Sequence, residues 1–217
     1  MTRSRVITVD GPAGAGKSSA SRALAGRLGY RHLDTGAMYR AVTWLAMQRG
    51  VDLGDAKALA ALAHAEPVRF DDADRVWIAG TDVTASIREA RIDRQVPVVA
   101  AHPAVRAVMR DRQRQLAESG DVVMEGRDIG TIVVPDADVK IYLSADSAVR
   151  AKRRQAERPD IGGDALVTDL RRRDERDAPR LRPAADAEQI DTTDLQVDDV
   201  VTRIEQLVQQ RLAAWRT

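Results

Sequence analysis

Eight consecutive residues carry the most specific chemistry in this 217-residue chain: Gly11-Pro12-Ala13-Gly14-Ala15-Gly16-Lys17-Ser18. They follow the pattern of glycine, four residues, then Gly-Lys-Ser/Thr, between a β-branched run (Val6-Ile7-Thr8-Val9) and a helical period from Lys17 to Leu28. Glycines at such a loop let successive N–H groups turn inward around phosphate oxygens. The helix N-terminus that follows adds unpaired donors and partial positive charge. Lys17 can reach β- and γ-phosphates, and the hydroxyl of Ser18 can ligate Mg²⁺. The competing reading is a glycine-rich turn beside a chance lysine. Lysine occurs only four times here, and the flanking strand and helix are what the motif requires, so phosphate binding is favoured. The motif implies a nucleoside triphosphate and nothing further.

Transfer of a phosphoryl group to a small acceptor would need a second anion site and cations over the moving group. Asp34-Thr35-Gly36-Ala37-Met38-Tyr39-Arg40 opens a second helical period, placing Arg40 about a turn beyond a strand's carboxyl end, where ligands of open α/β sheets bind. Arg40 read alone is equally a solvated helix arginine, and Asp34-Thr35 an ordinary N-cap. Glu125-Gly126-Arg127-Asp128 follows another buried-looking strand, and Gly126 permits a sharp turn. Arg127 could then hold a phosphate bidentately, and Asp128 could orient a cation or a hydroxyl. A surface ion pair explains them as well. Arg171 to Arg180 is a dense charge run, which is either a solvated helix face or a mobile lid delivering arginines, with a break at Pro159–Gly163 for movement. His32, His64 and His102 lack metal-ligand spacing and read as structural or solvent-facing.

These residues must be placed by an alternation of strands and helices. Strands are predicted at Val6–Val9, His32-Leu33, Val122–Glu125, Val139–Leu143 and Gln189–Asp191. Helices are predicted at Lys17–Leu28, Gly36 to about Arg49, Ala104–Ser119, Ser147 to about Glu157 (capped by Ser147) and about Asp198–Trp215. Val6–Val9, Val122–Glu125 and Val139–Leu143 read as buried runs, and strand–helix alternation with such strands makes the fold class α/β, a parallel sheet covered on both faces. From Val51 to about Val98 the character changes: a short helix from an Asp55 cap to Ala65, then a hairpin of Val68–Phe70 and Val76–Ala79. That stretch reads as an insertion.

Composition narrows the function classes. Lys+Arg 34 against Asp+Glu 33 leaves a net charge of +1, a poor starting point for nucleic-acid or acidic-membrane binding. The chain has no Cys, which excludes disulfides and thiolate chemistry and fits a reducing compartment. It has no Asn, so the Asn-Lys-x-Asp guanine-reading motif is absent. No apolar run reaches membrane-spanning length and the first ten residues lack a signal-peptide layout, giving the expectation of a cytoplasmic protein.

Taken together, the segments resemble the bacterial cytidylate kinase family almost end to end. The resemblance is carried by Ile7–Ser18, Leu33–Arg40, Gly80–Thr84 with Ile87-Arg88, Glu125–Thr131, Arg173-Asp174 with Arg176-Asp177 and Arg180, and Ala185–Ala187 with Ile190–Thr192. It implies a three-layer, five-stranded parallel sheet of the P-loop nucleoside monophosphate kinase type. The core would be about 1–50, 99–150 and 183–217, the monophosphate-binding insertion about 51–98 and the lid about 151–182. It also implies ATP-dependent phosphorylation of CMP and dCMP in pyrimidine metabolism, with Mg²⁺, by a monomer. Gly11, Pro12, Ala13, Gly14, Ala15, Gly16, Lys17, Ser18 and Ser19 would hold the triphosphate, with Ser18 on the metal. Thr35, Tyr39, Arg40, Arg106, Arg127 and Asp128 would line the acceptor site. Arg173, Asp177 and Arg180 would act from the lid, and Lys17, Arg127, Asp128, Arg173 and Arg180 would be the catalytic set. There are three departures: Ser19 stands where threonine is common, the segment before the lid arginines is short, and Pro97 replaces a serine that in relatives bonds the cytosine ring. UMP, AMP or shikimate as acceptor, and a non-catalytic nucleotide switch, are the alternatives.

Overall fold

The computed structural model describes residues 4–71, 73–157 and 163–214. Five strands, β1 (Val6–Asp10), β2 (Arg31–Asp34), β6 (Val122–Glu125), β7 (Val139–Ser144) and β8 (Glu188–Asp191), form a parallel sheet in the order β2-β6-β1-β7-β8. β1 is buried along its whole length because it pairs on both sides, Ile7 facing Val123 on one neighbour and Val139 on the other. Strand alternation sends Ile7, Val9, Val123, Ile141, Leu143 and Ile190 to one face. There they pack against Leu24 of α1 (Lys17–Leu28) and Val201, Ile204 and Val208 of α8 (Val197–Ala214). The opposite alternation turns Thr8 and Asp10 toward a single wide turn, Ile129–Val133, which follows β6. This is the parallel, helix-covered sheet that the alternation predicts.

Contacts divide the chain into two compact units, Leu33–Glu118 and the remainder. The former extends on both sides of the 51–98 stretch marked out by its sequence character. It contains α2 (Thr35–Gln48), α3 (Ala56–Ala65), a three-stranded antiparallel sheet and two further helices, α4 (Ala90–Ala101) and α5 (Pro103–Glu118). Asp55 caps α3 as expected, accepting from the amides of Lys57 and Ala58. The hairpin of β3 (Arg69–Phe70) and β4 (Val76–Ile78) gains a third strand, β5 (Thr81–Asp82), around an Ala79-Gly80 turn. Both turn residues have positive φ (50° and 74°), the mirror-image turn whose twist suits a hairpin. Alanine gives no sequence signal for that conformation.

Other differences also have local causes. α4 was hidden by Pro97, which lies inside the helix and cannot donate to the carbonyl of Asp93, four residues back. Apolar Ile92 and Val99 still bury that helix's inner face. The cap of α6 (Ser147–Glu157) is Asp146, not Ser147: its Oδ1 accepts from the amide of Ala148 at 2.7 Å. The charge run Arg171 to Arg180 is the latter part of α7 (Gly163–Asp177) followed by a turn. Residues 159–162 of the proposed break, and Trp215 at the predicted end of α8, lie outside the described residues. Among the described residues no helix is long and apolar enough to cross a membrane.

Candidate phosphate and acceptor sites

The loop from Gly11 to Gly16 bends back over the end of β1 because three of its residues occupy conformations open to glycine. Gly11, Gly14 and Gly16 have φ of 144°, 79° and 85°. A Cβ at Gly11 would lie 2.1 Å from the carbonyl oxygen of Leu143, so the strand beside the loop leaves no room for a side chain. Lys17 opens α1, is buried, and donates from Nζ to the Pro12 carbonyl at 2.7 Å, folding its ammonium over the loop. The helix start has no side-chain cap. Those N–H groups are of the kind that binds an anion.

Ser18 Oγ donates to Glu125 Oε2 at 2.7 Å, and the other carboxylate oxygen of Glu125 meets His32 Nε2 at 3.1 Å. Both Glu125 and His32 are buried. A hydroxyl and a carboxylate side by side form a hard oxygen pair suited to Mg²⁺, which takes one or two protein oxygens and completes its shell with phosphates and water. Sequence reasoning missed Glu125 as a partner of Ser18. An acid closing the apolar run Val122-Val123-Met124 was the available signal.

Arg127 and Asp128 leave the end of β6. Arg127 Nε donates to Asp177 Oδ2 at 3.0 Å, and Arg180 donates to Asp177 Oδ1 at 2.9 Å, so one carboxylate of α7 holds two cations. Asp128 is buried. Arg173 is half-buried on α7. Sequence reasoning missed Arg150, a buried arginine of α6. It grips Asp174 with two bonds of 3.1 and 2.7 Å and donates to the carbonyl of Ala13 in the phosphate loop at 3.1 Å. A Cβ on Gly14 would come within 3.0 Å of Arg150 Cβ, so this helix backs the loop directly. Arg153 of the same helix donates to the hydroxyl and carbonyl of Thr192, whose single O–H lies within reach of the Ala15 and Ser144 carbonyls. Spacing alone could not separate these arginines from their solvated neighbours.

In the Leu33–Glu118 unit, Asp34 caps α2 by accepting from the Ala37 amide at 2.9 Å and also pairs with Arg88 at 2.9 Å. Thr35 is buried at the first turn, and Tyr39 and Arg40 are half-buried one turn on. Arg40 Nε donates to buried Asp93 at 3.0 Å, which places Arg40 in an ion pair and not on a solvated face. Arg106 is half-buried on α5. His102 is bonded to the carbonyl of Leu53. Among the described residues no group of three or more His, Cys, Asp or Glu side chains could hold a metal by itself.

A sequence profile described as cytidylate kinase matches residues 7–210. The cytidylate kinase of Rhodococcus opacus is 47% identical over 222 residues, covering 97% of this chain and 97% of that protein. That of Bacillus licheniformis is 44% identical and covers 97% of this chain and 99% of its own length. Among solved structures, a shikimate kinase from Bacteroides thetaiotaomicron superposes with a TM-score of 0.51 at 16% identity, covering 94% of this chain and 98% of that one. At that identity the likeness is one of fold.

Proposed function

The chain belongs to the cytidylate kinase family, and from that membership we infer how its residues divide the labour of phosphoryl transfer. It is a nucleoside monophosphate kinase that phosphorylates CMP, with ATP as co-substrate. An oxygen of the CMP phosphate attacks the γ-phosphorus, the bond to the bridging oxygen breaks, and CDP and ADP result. The acceptor oxygen is already anionic, so no strong general base is required. Catalysis is positioning and charge stabilisation.

The observation that carries this reading is the glycine loop with Lys17 folded over it, within a match that spans nearly the whole chain. In our reading Gly11–Ser19 hold the triphosphate, with Lys17 on its terminal phosphates. Ser18 and Glu125 would hold Mg²⁺, which supplies charge neutralisation at the β- and γ-oxygens. Thr35, Tyr39, Arg40 and Arg106 would bind the acceptor nucleotide, with Arg127 and Asp128 beside the transferring group. Arg173, Asp177 and Arg180 would act from the lid, and their closure would exclude water. dCMP as a second acceptor and a cytoplasmic, monomeric existence belong to the same proposal.

The test is ATP turnover against a panel of CMP, dCMP, UMP, AMP and shikimate. Fastest turnover with CMP and dCMP, and none with shikimate, is expected. Faster turnover with UMP or shikimate, or ATP binding without turnover on any acceptor, would sink the reading.

A further inference from the structure

Asp10, the last residue of β1, is 5% exposed, and both of its carboxylate oxygens are engaged. Oδ1 accepts from the Ile129 amide at 2.9 Å and Oδ2 from the Gly130 amide at 2.8 Å. These amides open the wide turn that immediately follows Arg127 and Asp128. Within the turn, the Asp128 carbonyl accepts from the amides of Ile132 and Val133 and from the Thr131 hydroxyl. On the other side of the two residues, the Gly126 amide donates to the Val9 carbonyl at 3.1 Å. The segment bearing Arg127 and Asp128 is therefore tied to β1 at both ends, next to where that strand enters the phosphate loop.

The tie is tight and chemically particular. A Cβ at Gly130 would stand 2.8 Å from the buried hydroxyl of Thr8, so only glycine lets the turn approach this closely. Burying a carboxylate is costly, and an amide side chain would be cheaper to bury. An amide, however, has one acceptor oxygen, and its NH₂ would face the second donor. A carboxylate alone accepts from two adjacent amides. Burial pushes Asp10 up to about 6, and nearby Asp128 adds to the rise. The two amides and Lys17 hold it down. Tyr142 lies opposite it on β7.

We infer that Asp10 is a positioning residue of the phosphoryl transfer: its carboxylate fixes the Ile129 and Gly130 amides and thereby sets where Arg127 and Asp128 stand beside the phosphate loop. The inference rests on the reading of Arg127 and Asp128 as groups beside the transferring phosphoryl. Asp10 itself touches no substrate. Its effect belongs to kcat and to the handling of CMP, not to the binding of ATP.

The experiment measures kcat, both KM values and the thermal midpoint for Asp10→Asn and Gly130→Ala, and for Gly130→Ala combined with Thr8→Ala. Misplacing Arg127 and Asp128 should lower kcat on the order of 10- to 100-fold while KM for ATP stays within about twofold. Gly130→Ala should show the same split without altering any charge. Thr8→Ala in that background removes the obstructing hydroxyl and should restore most of kcat. If Asp10→Asn does not fold, the Gly130→Ala pair decides alone. Full turnover of Asp10→Asn, or a Gly130→Ala loss that Thr8→Ala leaves untouched, overturns the inference. Arg127→Ala and Asp128→Asn run alongside. Full turnover of both would sink the acceptor-site reading and this inference with it. Impaired Arg127→Ala beside an unimpaired Asp10→Asn would sink the inference alone.

Discussion

The loop at Gly11–Gly16 and the arginines gathered around the acids of α7 are the two regions proposed to meet phosphate, and they are built in opposite ways. The loop is a backbone device: its shape follows from three glycines with positive φ and from a strand that admits no Cβ at Gly11. The α7 side is a side-chain device, and its cations are held by acids: Arg127 and Arg180 share Asp177, and Arg150 grips Asp174. On the proposed assignment, a phosphate entering there would compete with a carboxylate. The loop would then bind through its backbone, while the arginines would have to leave Asp177 to reach a phosphate.

The largest expected effect tests the side-chain half. Arg180→Ala should lower kcat by about 10³ at saturating ATP and CMP, because that charge counts most in the transition state. A variant with full turnover would return α7 to a solvated face. Lys17→Ala probes the loop half. We expect a loss of about 10²–10³ in kcat with an unchanged thermal midpoint, since the lysine acts on phosphate charge and not on core packing. Near-normal turnover in a well-folded variant would remove Lys17 from the cradle.

The third prediction concerns stability under the loop. Asp10 is raised to about 6 from an ordinary 3.8, so the folded state favours its protonated form. That contribution is fully present below about pH 4 and is lost as the pH rises through about 6. Urea unfolding of the wild type relative to Asp10→Asn should therefore lose roughly 2–3 kcal/mol across that window. A pH-independent difference would show that the two amides fully offset burial. Fourth, Pro97→Ser should raise the CMP-to-UMP ratio of kcat/KM by about tenfold, because a polar contact fitted to cytosine's edge is mismatched by uracil, whose donor and acceptor positions are exchanged. An unchanged ratio would place base reading on another group. Smallest is Arg171→Ala. Arg171 pairs with Glu175 on the same helix at 82% and 62% side-chain exposure, so its loss should shift stability by less than about 0.5 kcal/mol and leave kcat alone. A large kcat loss would mean that exposure on α7 does not separate working arginines from solvated ones.

The same division explains what the sequence could tell. The loop was legible because its function lies in contiguous spacing: Lys17–Leu28 is a helix with its left-handed Gly29 end, and β1 precedes it, as read. Three of the core strands, β1, β6 and β7, were legible for the same reason, each being a local, largely apolar run, whereas β2 (Arg31–Asp34) and β8 (Glu188–Asp191) are mostly polar. Pairings across long separations were not legible. Arg150 with Ala13 spans 137 residues, Ser18 with Glu125 spans 107, and Asp10 with Gly130 spans 120. Nothing in a run of arginines says which one faces inward. α4 failed for another reason, since propensity argued against a helix at Pro97 and burial of Ile92 and Val99 outweighed it.

Lys17 lying buried against the Pro12 carbonyl has a consequence for labelling chemistry. The chain has only four lysines. Lys57 and Lys152 are exposed, whereas Lys17 is buried and Lys140 is engaged with Asp186 at 9% side-chain exposure. An amine-acylating reagent applied to the folded protein should therefore modify Lys57 and Lys152 within the first minutes and reach Lys17 only as the loop opens. The mass of the tryptic fragment containing Lys17 then becomes a built-in clock for loop opening, read without any added dye or engineered cysteine.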